Sequence, residues 1–379
     1  MIKKTDPASG ELRVVFAGGG TGGHLYPAVA IAEAFAQQHQ NVRVHFIGTA
    51  RGLEARVIPR LGYPLTLVPV RGLERRLTWR NLLVPMRLLQ SIRQCSSLFR
   101  SFQPHLVVGT GGYVSGPALL AARLTRRMFV IQEQNSFPGM VNRTFGKQAH
   151  AVFLSFEESR KFFTGHKNVH VVGNPVRTGL KSITPAHRQA GLEKWRLDKN
   201  RITLLVFGGS QGARRINDVI IEVLPRLAEI ENLQMLWATG PAHFDKIAPI
   251  ANAHPQVRAV PYLDEMDLAY ALADFAICRS GASTIFELAL CGVPAILVPF
   301  PFATADHQTF NARAWEAAGA AHVFVEKDLR VDNLLACLRA LASDQEKRGR
   351  MSQAAQKLAR PNAAEEIVKA CMELLDAPA

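Results

Sequence analysis

The sequence predicts an α/β protein built from two doubly wound parallel-sheet domains. Three observations support this prediction. Short β-branched runs alternate with longer helical patterns, the alternation restarts after residues 173–175, and each half opens with a strand, a glycine turn and a helix. The spacing leaves room for a crossover helix between most strands, as a parallel sheet requires. A chain of 379 residues also exceeds what one hydrophobic core normally supports.

The predicted strands fall into two groups along the chain. Those of the first half are 13–17, 42–48, 65–70, 105–110, 128–132, 151–155 and 169–173. Those of the second half are 201–208, 234–240, 257–262, 274–280, 295–300 and 321–326. Prolines and a glycine interrupt the periodicity between Asn174 and about Arg188. We therefore expect one domain at residues 1–176 and a second at 177–359.

Composition limits the class of protein. The net charge of +14, from 45 basic and 31 acidic residues, suits nucleic acid, phosphorylated substrates or acidic lipid as partners. The five cysteines are far apart and form no CxxC pair, which indicates a reducing cytosol and argues against a disulfide framework or a zinc site. Without a run of about 18 apolar residues, we expect a chain that is neither exported nor membrane-spanning.

The stretch AGGGTGGHLYPA (17–28) places a glycine cluster between the first strand and the first helix. Such a cluster is typical of a ligand lying close to bare backbone. Gly18, Gly20 and Gly23 match the dinucleotide pattern GxGxxG, but the second strand ends without the ribose-binding acid, although Arg51 leaves an NADP variant open. No Walker A lysine follows. The turn instead predicts phosphate binding at a helix N-terminus, with plain packing as the alternative.

Two more glycine turns follow predicted strands, GTGGYVSGP (109–117) and FGGSQGARRIN (207–217). Three such turns imply more than one phosphate-bearing ligand. They belong at the carboxyl ends of their sheets, where open α/β proteins bind ligands.

Seven motifs then occur in a characteristic order: GGGTGGHLYPA, GTGGYVSGP, QEQN, VVGNPVR, GGSQGARRIN, CRSGASTIFELALCGVPAILVPFP and DHQTFNA. In this the chain resembles the MurG-type enzymes, from about residue 13 to at least 315. The resemblance implies the GT-B fold, two Rossmann-like domains facing a central cleft, with a C-terminal helix at about 360–379 packing back on the first domain. That first domain would face the acceptor and the membrane, and the second would bind UDP-GlcNAc.

The resemblance also implies an activity. It predicts an inverting hexosyltransferase that moves GlcNAc from UDP-GlcNAc to the muramoyl 4-hydroxyl of undecaprenyl-diphosphate-linked MurNAc-pentapeptide (lipid I). The product, lipid II, serves peptidoglycan synthesis. Partners implied are the donor, the lipid-linked acceptor, an anionic membrane surface, and cell-wall and division proteins. The implied location is the cytoplasmic face of the inner membrane, as a peripheral protein.

Donor contacts follow from the resemblance, residue by residue. Glu287 would accept both ribose hydroxyls, the main chain of Leu263 would read the uracil edge, and Arg177 would meet the diphosphate. The residues assigned to UDP-GlcNAc are Thr21, Gly22, Gly23, Asn135, Arg177, Ser210, Leu263, Ala282, Ser283, Thr284, Glu287, Gln308 and Asn311. The amides among them would hydrogen-bond the sugar hydroxyls.

Structural alternatives stay open for several of these residues. Thr284-x-x-Glu287 also fits a capping box, in which the carboxylate only satisfies a helix N-terminus. Ser210 would also serve as an ordinary N-cap. Arg177 fits a surface linker, and the Leu263 side chain fits plain packing.

Inversion calls for a base beside the acceptor hydroxyl and for charge stabilisation on the departing UDP. His24 is the first candidate base, since imidazole titrates near neutral pH. A histidine that only orients the loop, or that binds the acceptor diphosphate, is the alternative, and Glu133 and Tyr113 compete for the role. The residues assigned to the acceptor diphosphate are Gly20, Gly111, Gly112 and Tyr113.

Neither a metal nor a cofactor is expected. The sequence contains no Asp-x-Asp motif, by which another glycosyltransferase fold holds a metal on the diphosphate. Helix N-termini and Arg177 would then neutralise the leaving group.

Residues 71–100 carry seven arginines and one glutamate, interleaved with apolar residues. This pattern favours peripheral contact with anionic lipid. The residues assigned to that contact are Arg75, Arg76, Trp79, Arg80, Leu82, Leu83 and Met86. The alternative is a crossover helix that packs its leucines on the sheet.

The sequence leaves two other classes of function as alternatives. Nucleic-acid binding has the charge but no recognisable module, and only 8% of the residues are aromatic. A UDP-GlcNAc epimerase, or another UDP-sugar transferase of the same fold, is the closer alternative. The segment 71–100 and the second glycine turn argue against the epimerase, because a soluble epimerase has no lipid diphosphate to hold.

Overall fold

The computed structural model describes residues 10–71, 84–303 and 306–377. The chain divides into two compact units, Met1–Thr178 with Asn362–Ala379, and Gly179–Pro361. Each unit contains one parallel β-sheet, and every predicted strand segment coincides with an observed strand. The predicted fold class of two doubly wound parallel-sheet domains is confirmed.

The first unit contains a seven-stranded sheet in the order β3-β2-β1-β4-β5-β6-β7. Its strands are β1 (Leu12–Gly18), β2 (Val42–Gly48), β3 (Leu65–Leu67), β4 (Leu106–Gly111), β5 (Met128–Glu133), β6 (Ala151–Leu154) and β7 (Val169–Val171). Its helices are α1 (Gly22–Gln38), α2 (Glu54–Arg60), α3 (Val84–Phe102), α4 (Ser115–Leu124), α5 (Met140–Gly146) and α14 (Ala363–Asp376). A short 3₁₀ helix covers Glu157–Phe163.

The second unit contains a six-stranded sheet in the order β10-β9-β8-β11-β12-β13. Its strands are β8 (Ile202–Phe207), β9 (Leu233–Ala238), β10 (Val257–Val260), β11 (Phe275–Cys278), β12 (Ala295–Leu297) and β13 (Ala321–Val323). Its helices are α6 (Pro185–Trp195), α7 (Arg214–Val223), α8 (Pro241–Asn252), α9 (Met266–Leu272), α10 (Ala282–Cys291), α11 (His307–Ala317), α12 (Val331–Ser343) and α13 (Gln345–Lys357). Further 3₁₀ turns cover Thr178–Ser182 and Leu224–Glu229.

Alternation along β1 explains why helices cover both faces of the first sheet. Val14 and Phe16 are buried in one hydrophobic cluster with the apolar residues of α1 and α14. Val15 and Ala17 are buried in a second cluster with α3 and α4. Side chains two residues apart share a face, so a strand covered on both sides reads as an unbroken apolar run.

The C-terminal helix α14 belongs to the first unit although the rest of the second unit precedes it in sequence. Its buried residues Ile367, Val368 and Cys371 join the cluster that contains α1 and one face of the first sheet. The chain therefore returns to its first unit to complete that core.

Candidate functional site

Both sheets reverse their strand order next to their first strand. β1 lies between β2 and β4, and β8 lies between β9 and β11. The loops that follow β1 and β4, and those that follow β8 and β11, therefore flank the topological switch point of each sheet, where open α/β proteins bind ligands. The three glycine turns lie in these loops.

The first two glycine turns approach each other backbone to backbone. The register of β1 on β4 shifts between Ala17 and Gly18, which pairs Gly18 with Gly111. A Cβ built on Gly18 would lie 1.8 Å from Oγ1 of Thr110, and one on Gly112 would lie 2.6 Å from the Gly19 carbonyl oxygen. Packing therefore explains some glycines of the first turn, as the alternative proposed, but a Cβ on Gly23 would meet nothing nearer than 3.7 Å.

The carboxylate of Glu54 supports the first turn from α2. It is 1% exposed and accepts hydrogen bonds from the backbone N–H of Gly20 and of Thr49, both at 2.8 Å. Sequence reasoning missed Glu54 because it looked for an acid at the end of β2, whereas this one lies six residues later. The Gly20 amide, which was assigned to the acceptor diphosphate, thus has a partner inside the protein.

Helix α1 begins at Gly22, and the side chain of its N-cap residue, Thr21, makes no capping hydrogen bond. The first turn of the helix contains no acidic residue. A phosphate placed there would meet the amides of Gly22 and Gly23 and the positive end of the helix dipole.

His24 lies where the two turns meet. Its Nδ1 is 2.9 Å from Oε1 of Gln134 and 3.1 Å from the carbonyl oxygen of Thr110. The Thr110 hydroxyl in turn donates to the His24 carbonyl oxygen at 2.8 Å. A Cβ on Gly111 would lie 2.9 Å from Nδ1, so the second turn needs a glycine beside the imidazole.

Glu133, the competing base, is a buried carboxylate whose two oxygens both accept hydrogen bonds. One accepts from the backbone N–H of Asn135 at 2.9 Å and from its side chain at 3.3 Å. The other accepts from Nδ2 of Asn142 at 2.8 Å and from the N–H of Gly139 at 3.0 Å. This pattern anchors the loop between β5 and α5. The third candidate, Tyr113, is 61% exposed.

Arg177 lies in the first unit, with its guanidinium 4.4 Å from the ring centroid of Tyr26 on α1. The next residue, Thr178, donates from its hydroxyl to Glu33 of the same helix at 2.7 Å. This segment is therefore held on α1 and is not a loose linker. Tyr26 was missed by sequence reasoning because its place under the guanidinium depends on tertiary packing.

In the second unit, α10 carries Glu287. The helix begins at Ala282 after Gly281, so Thr284 lies inside it and is not its N-cap. The capping-box alternative is therefore wrong. The Glu287 carboxylate is 5% exposed, and Tyr270 of α9 donates a hydrogen bond to its Oε2 at 2.9 Å.

Ser210 is not a helix N-cap either. α7 begins at Arg214 after Ala213, which leaves Ser210 in the glycine turn ahead of the helix. That turn is tight, since a Cβ on Gly212 would lie 2.2 Å from the carbonyl oxygen of Thr239. The alternative of an ordinary N-cap is wrong, and the phosphate contact remains a prediction.

The predicted sugar-binding amides of α11 lie next to the start of α10. Asn311 donates from Nδ2 to the carbonyl oxygen of Ser280 at 3.1 Å, and the Ser280 hydroxyl donates to the carbonyl oxygen of Gln308 at 2.7 Å. Gln308 accepts from the N–H of Phe300 at 3.0 Å. The buried Oδ1 of Asn311 meets no donor among the described residues, which suits a hydroxyl-bearing ligand.

The remaining predicted residues divide between described and undescribed parts of the chain. The side chain of Leu263 is buried, as the packing alternative expects, and Ser283 is half-buried. Met86 begins the exposed side of α3 and is 60% exposed. The other residues assigned to lipid contact, Arg75, Arg76, Trp79, Arg80, Leu82 and Leu83, lie outside the described residues.

Among residues 10–71, 84–303 and 306–377, no three His, Cys, Asp or Glu side chains cluster in a way that would hold a metal ion. Across the same ranges, no helix is long and apolar enough to cross a bilayer.

Comparison with known proteins identifies the family. The N-terminal domain model of glycosyltransferase family 28 matches residues 14–154, and the C-terminal domain model of that family matches residues 203–367. These matches cover well over half of the chain. The chain belongs to glycosyltransferase family 28.

One family 28 relative is a protein of Chlorobaculum parvum, 45% identical over 360 residues, which cover 94% of this chain and 97% of the relative. That protein is named UDP-N-acetylglucosamine–N-acetylmuramyl-(pentapeptide) pyrophosphoryl-undecaprenol N-acetylglucosamine transferase. Among solved structures, MurG of Acinetobacter baumannii aligns with a TM-score of 0.72 at 27% identity, over 96% of this chain and 99% of the other. The resemblance to MurG-type enzymes and the GT-B class are confirmed.

The fold of family 28 is shared by enzymes of other activity. A UDP-GlcNAc 2-epimerase from Neisseria meningitidis, solved with UDP-GlcNAc bound, aligns with a TM-score of 0.68, over 96% of this chain and 100% of the other. Its sequence is only 14% identical, so this likeness shows the fold alone.

Proposed function

We propose that this chain transfers GlcNAc from UDP-GlcNAc to the muramoyl 4-hydroxyl of lipid I and so produces lipid II. The observation that carries the proposal is near-full-length identity of 45% to a relative named for this transfer. The chain acts as a hexosyltransferase in peptidoglycan synthesis.

The second unit binds the donor. Glu287 accepts hydrogen bonds from the ribose hydroxyls, and Tyr270 holds the carboxylate through its 2.9 Å hydrogen bond to Oε2. The N-termini of α7 and α10, whose N-cap residues Ala213 and Gly281 make no side-chain capping hydrogen bond, present amides and positive dipole ends to the diphosphate. Gln308 and Asn311 select the sugar through its hydroxyls, because a wrong epimer leaves a buried amide unpaired.

The first unit binds the acceptor. The second glycine turn, at Gly111 and Gly112, holds the acceptor diphosphate, and the N-terminus of α1, at Gly22 and Gly23, contacts UDP-GlcNAc. His24 removes the proton from the acceptor hydroxyl as that oxygen attacks the anomeric carbon in line with the departing UDP. Glu133 is not the base, because both of its oxygens already accept hydrogen bonds from the loop that it anchors.

Charge on the leaving UDP is stabilised by helix N-termini and by Arg177. We expect transfer to persist after treatment of the enzyme with a chelator. Loss of activity that is restored only by a metal found bound at the donor site would contradict this part of the proposal.

Radiolabel transfer tests the function. Purified protein is incubated with UDP-[¹⁴C]GlcNAc and a lipid I analogue, and we expect label to move into the organic phase. A parallel incubation without acceptor is the control. Label that stays in the aqueous phase while UDP-GlcNAc is converted to its 2-epimer would instead support the epimerase.

His24→Ala tests the base. General base catalysis contributes about 10²–10⁴-fold, so we expect a loss of at least about a hundredfold in kcat. A loss below about tenfold would exclude His24 as the base. His39→Ala, at the other end of α1, is the matched control.

We further propose that the protein acts at the cytoplasmic face of the inner membrane, where cell-wall and division proteins are its neighbours. Support comes from the basic, apolar segment that precedes α3 and from the exposed Met86, Leu88 and Leu89 on that helix. Replacing Arg75, Arg76 and Arg80 by Ser is expected to weaken binding to anionic liposomes. Binding equal to that of the unaltered protein would contradict the proposal.

A further inference from the structure

A chain of buried side-chain amides runs from His24 to the segment that carries Arg177. Gln134 donates from Nε2 to Oε1 of Gln132, and Gln132 donates from Nε2 to Oδ1 of Asn174 at 3.3 Å. All three amide side chains are at most 2% exposed. Asn174 lies three residues before Arg177, within the same motif.

The acceptors around Gln134 determine which way its amide points. Its Nε2 lies 2.7 Å from the carbonyl oxygen of Thr110, which can only accept, so Nε2 must be the atom on that side. Its Oε1 then faces Nδ1 of His24 at 2.9 Å. Reversing the amide would place two oxygens in contact and would leave buried donors unpaired.

Nδ1 of His24 therefore faces two oxygens, Oε1 of Gln134 and the carbonyl oxygen of Thr110. Neither oxygen can donate, so Nδ1 carries the hydrogen in the neutral imidazole. The other nitrogen, Nε2, then has a lone pair, which is what a general base requires.

We propose that Gln134 is a positioning residue that fixes the tautomer and orientation of His24, with Gln132 and Asn174 holding Gln134 in turn. The consequence for catalysis rests on the proposed function, in which His24 is the base. Hydrogen bonds that point one way along a buried chain strengthen each other, so the orientation is set by the whole chain. The same chain ties the base to the segment of Arg177.

Two carboxylates of the first unit bind residues that surround the two glycine turns. Glu54 of α2 binds the amide of Gly20, and Glu133 of β5 holds Asn142, whose Nδ2 would be 3.6 Å from a Cβ on Gly111. Both carboxylates are left unaltered in every Gln134 variant. A comparison among those variants therefore reports the change at Gln134 itself.

The tautomer can be measured in the resting protein. We expect ¹⁵N NMR of histidine-labelled protein, above the pH at which the imidazole is protonated, to show hydrogen on Nδ1 of His24 and none on Nε2. The signals are assigned by their loss in His24→Gln. Hydrogen on Nε2 would overturn the proposal, and this result does not depend on activity.

Two variants test the role in turnover. Gln134→Met replaces the amide, with its acceptor oxygen, by an apolar side chain of similar length. We expect kcat to fall about tenfold, with KM for UDP-GlcNAc changed less than twofold. Gln134→Glu keeps an oxygen beside Nδ1 and adds negative charge, which favours the imidazolium. We expect the acid limb of its kcat/KM profile to move up by about one pH unit.

Gln148→Glu is the matched control, since it adds the same charge at an exposed position of the same unit. An unchanged kcat in Gln134→Met, or an acid limb in Gln134→Glu that matches the control, would overturn the proposal. If the unaltered protein transfers no GlcNAc to lipid I, the proposed function fails, while the tautomer measured by NMR still stands.

Discussion

The hydroxyl of Tyr270 on α9 donates a hydrogen bond to the Glu287 carboxylate on α10 at 2.9 Å. Both side chains are buried, and the Tyr270 ring also packs edge-on against Phe207 at the end of β8. The ring thus connects the first strand of the second sheet to the carboxylate proposed to bind the ribose. This hydrogen bond helps to fix the direction of the Glu287 carboxylate.

Tyr270→Phe tests this relationship. The variant keeps the ring packing and removes one hydrogen bond to a buried carboxylate, a loss of about 1.5–3 kcal/mol. We expect KM for UDP-GlcNAc to rise about tenfold with a smaller change in kcat. Tyr63→Phe, which removes a hydroxyl from the first unit, is the control. An unchanged KM would show that the hydroxyl does not position Glu287 for the donor.

Glu133→Gln separates an anchoring role from a catalytic one. The amide keeps one acceptor oxygen, but its NH₂ group faces donors that bind a carboxylate oxygen in the unaltered protein. We expect this mismatch to cost about 2 kcal/mol of stability. For a unit of this size we expect the melting temperature to fall by about 5 °C. The acid limb of the pH–rate profile should stay, because the proposed base is His24.

Glu158→Gln, which removes the same charge from an exposed position of the same unit, is the control. A Glu133→Gln protein that melts like the unaltered protein but has lost turnover would identify Glu133 as a participant in the reaction.

Every strand, and the order of the glycine turns, could be predicted from the sequence, because both depend on local patterns of residues. Apolar runs such as Val14–Ala17 are buried on both faces, and glycines mark where backbones meet. The partners of the site residues were not predictable in the same way. Glu54, Gln134 and Tyr270 reach their sites through side-chain packing between different elements, which leaves no spacing signal.

The capping-box alternative for Thr284 and Glu287 was wrong for a related reason. Thr284 and Glu287 have the right spacing, but the helix begins three residues earlier than that motif requires. The start of a helix depends on the preceding loop, which the spacing of the motif does not describe. The motif alone therefore did not decide between a cap and a ligand contact.

Gly112→Ala tests the contact between the two glycine turns. Gly112 has φ of +77°, and a Cβ there would lie 2.6 Å from the Gly19 carbonyl oxygen. Gly62 has φ of +78° with nothing within 4 Å, so Gly62→Ala carries the same backbone strain, about 1–2 kcal/mol, without the contact. We expect Gly112→Ala to lose at least tenfold more kcat than Gly62→Ala. Equal losses in steady-state assays would mean that the approach of the turns does not matter for turnover.

Ile367→Ala tests whether α14 completes the core of the first unit. Ile367 is fully buried in the cluster shared with α1, and truncating such a side chain typically costs about 2–5 kcal/mol. We expect calorimetry to show the melting transition of the first unit lowered by about 5–10 °C. KM for UDP-GlcNAc should stay within twofold, because Ile367 is not among the residues assigned to the donor. Lys369→Ala, an exposed change on the same helix, should melt like the unaltered protein. If Ile367→Ala also melts unchanged, α14 does not contribute to this core in solution, and the return of the chain to its first unit has no stabilising role.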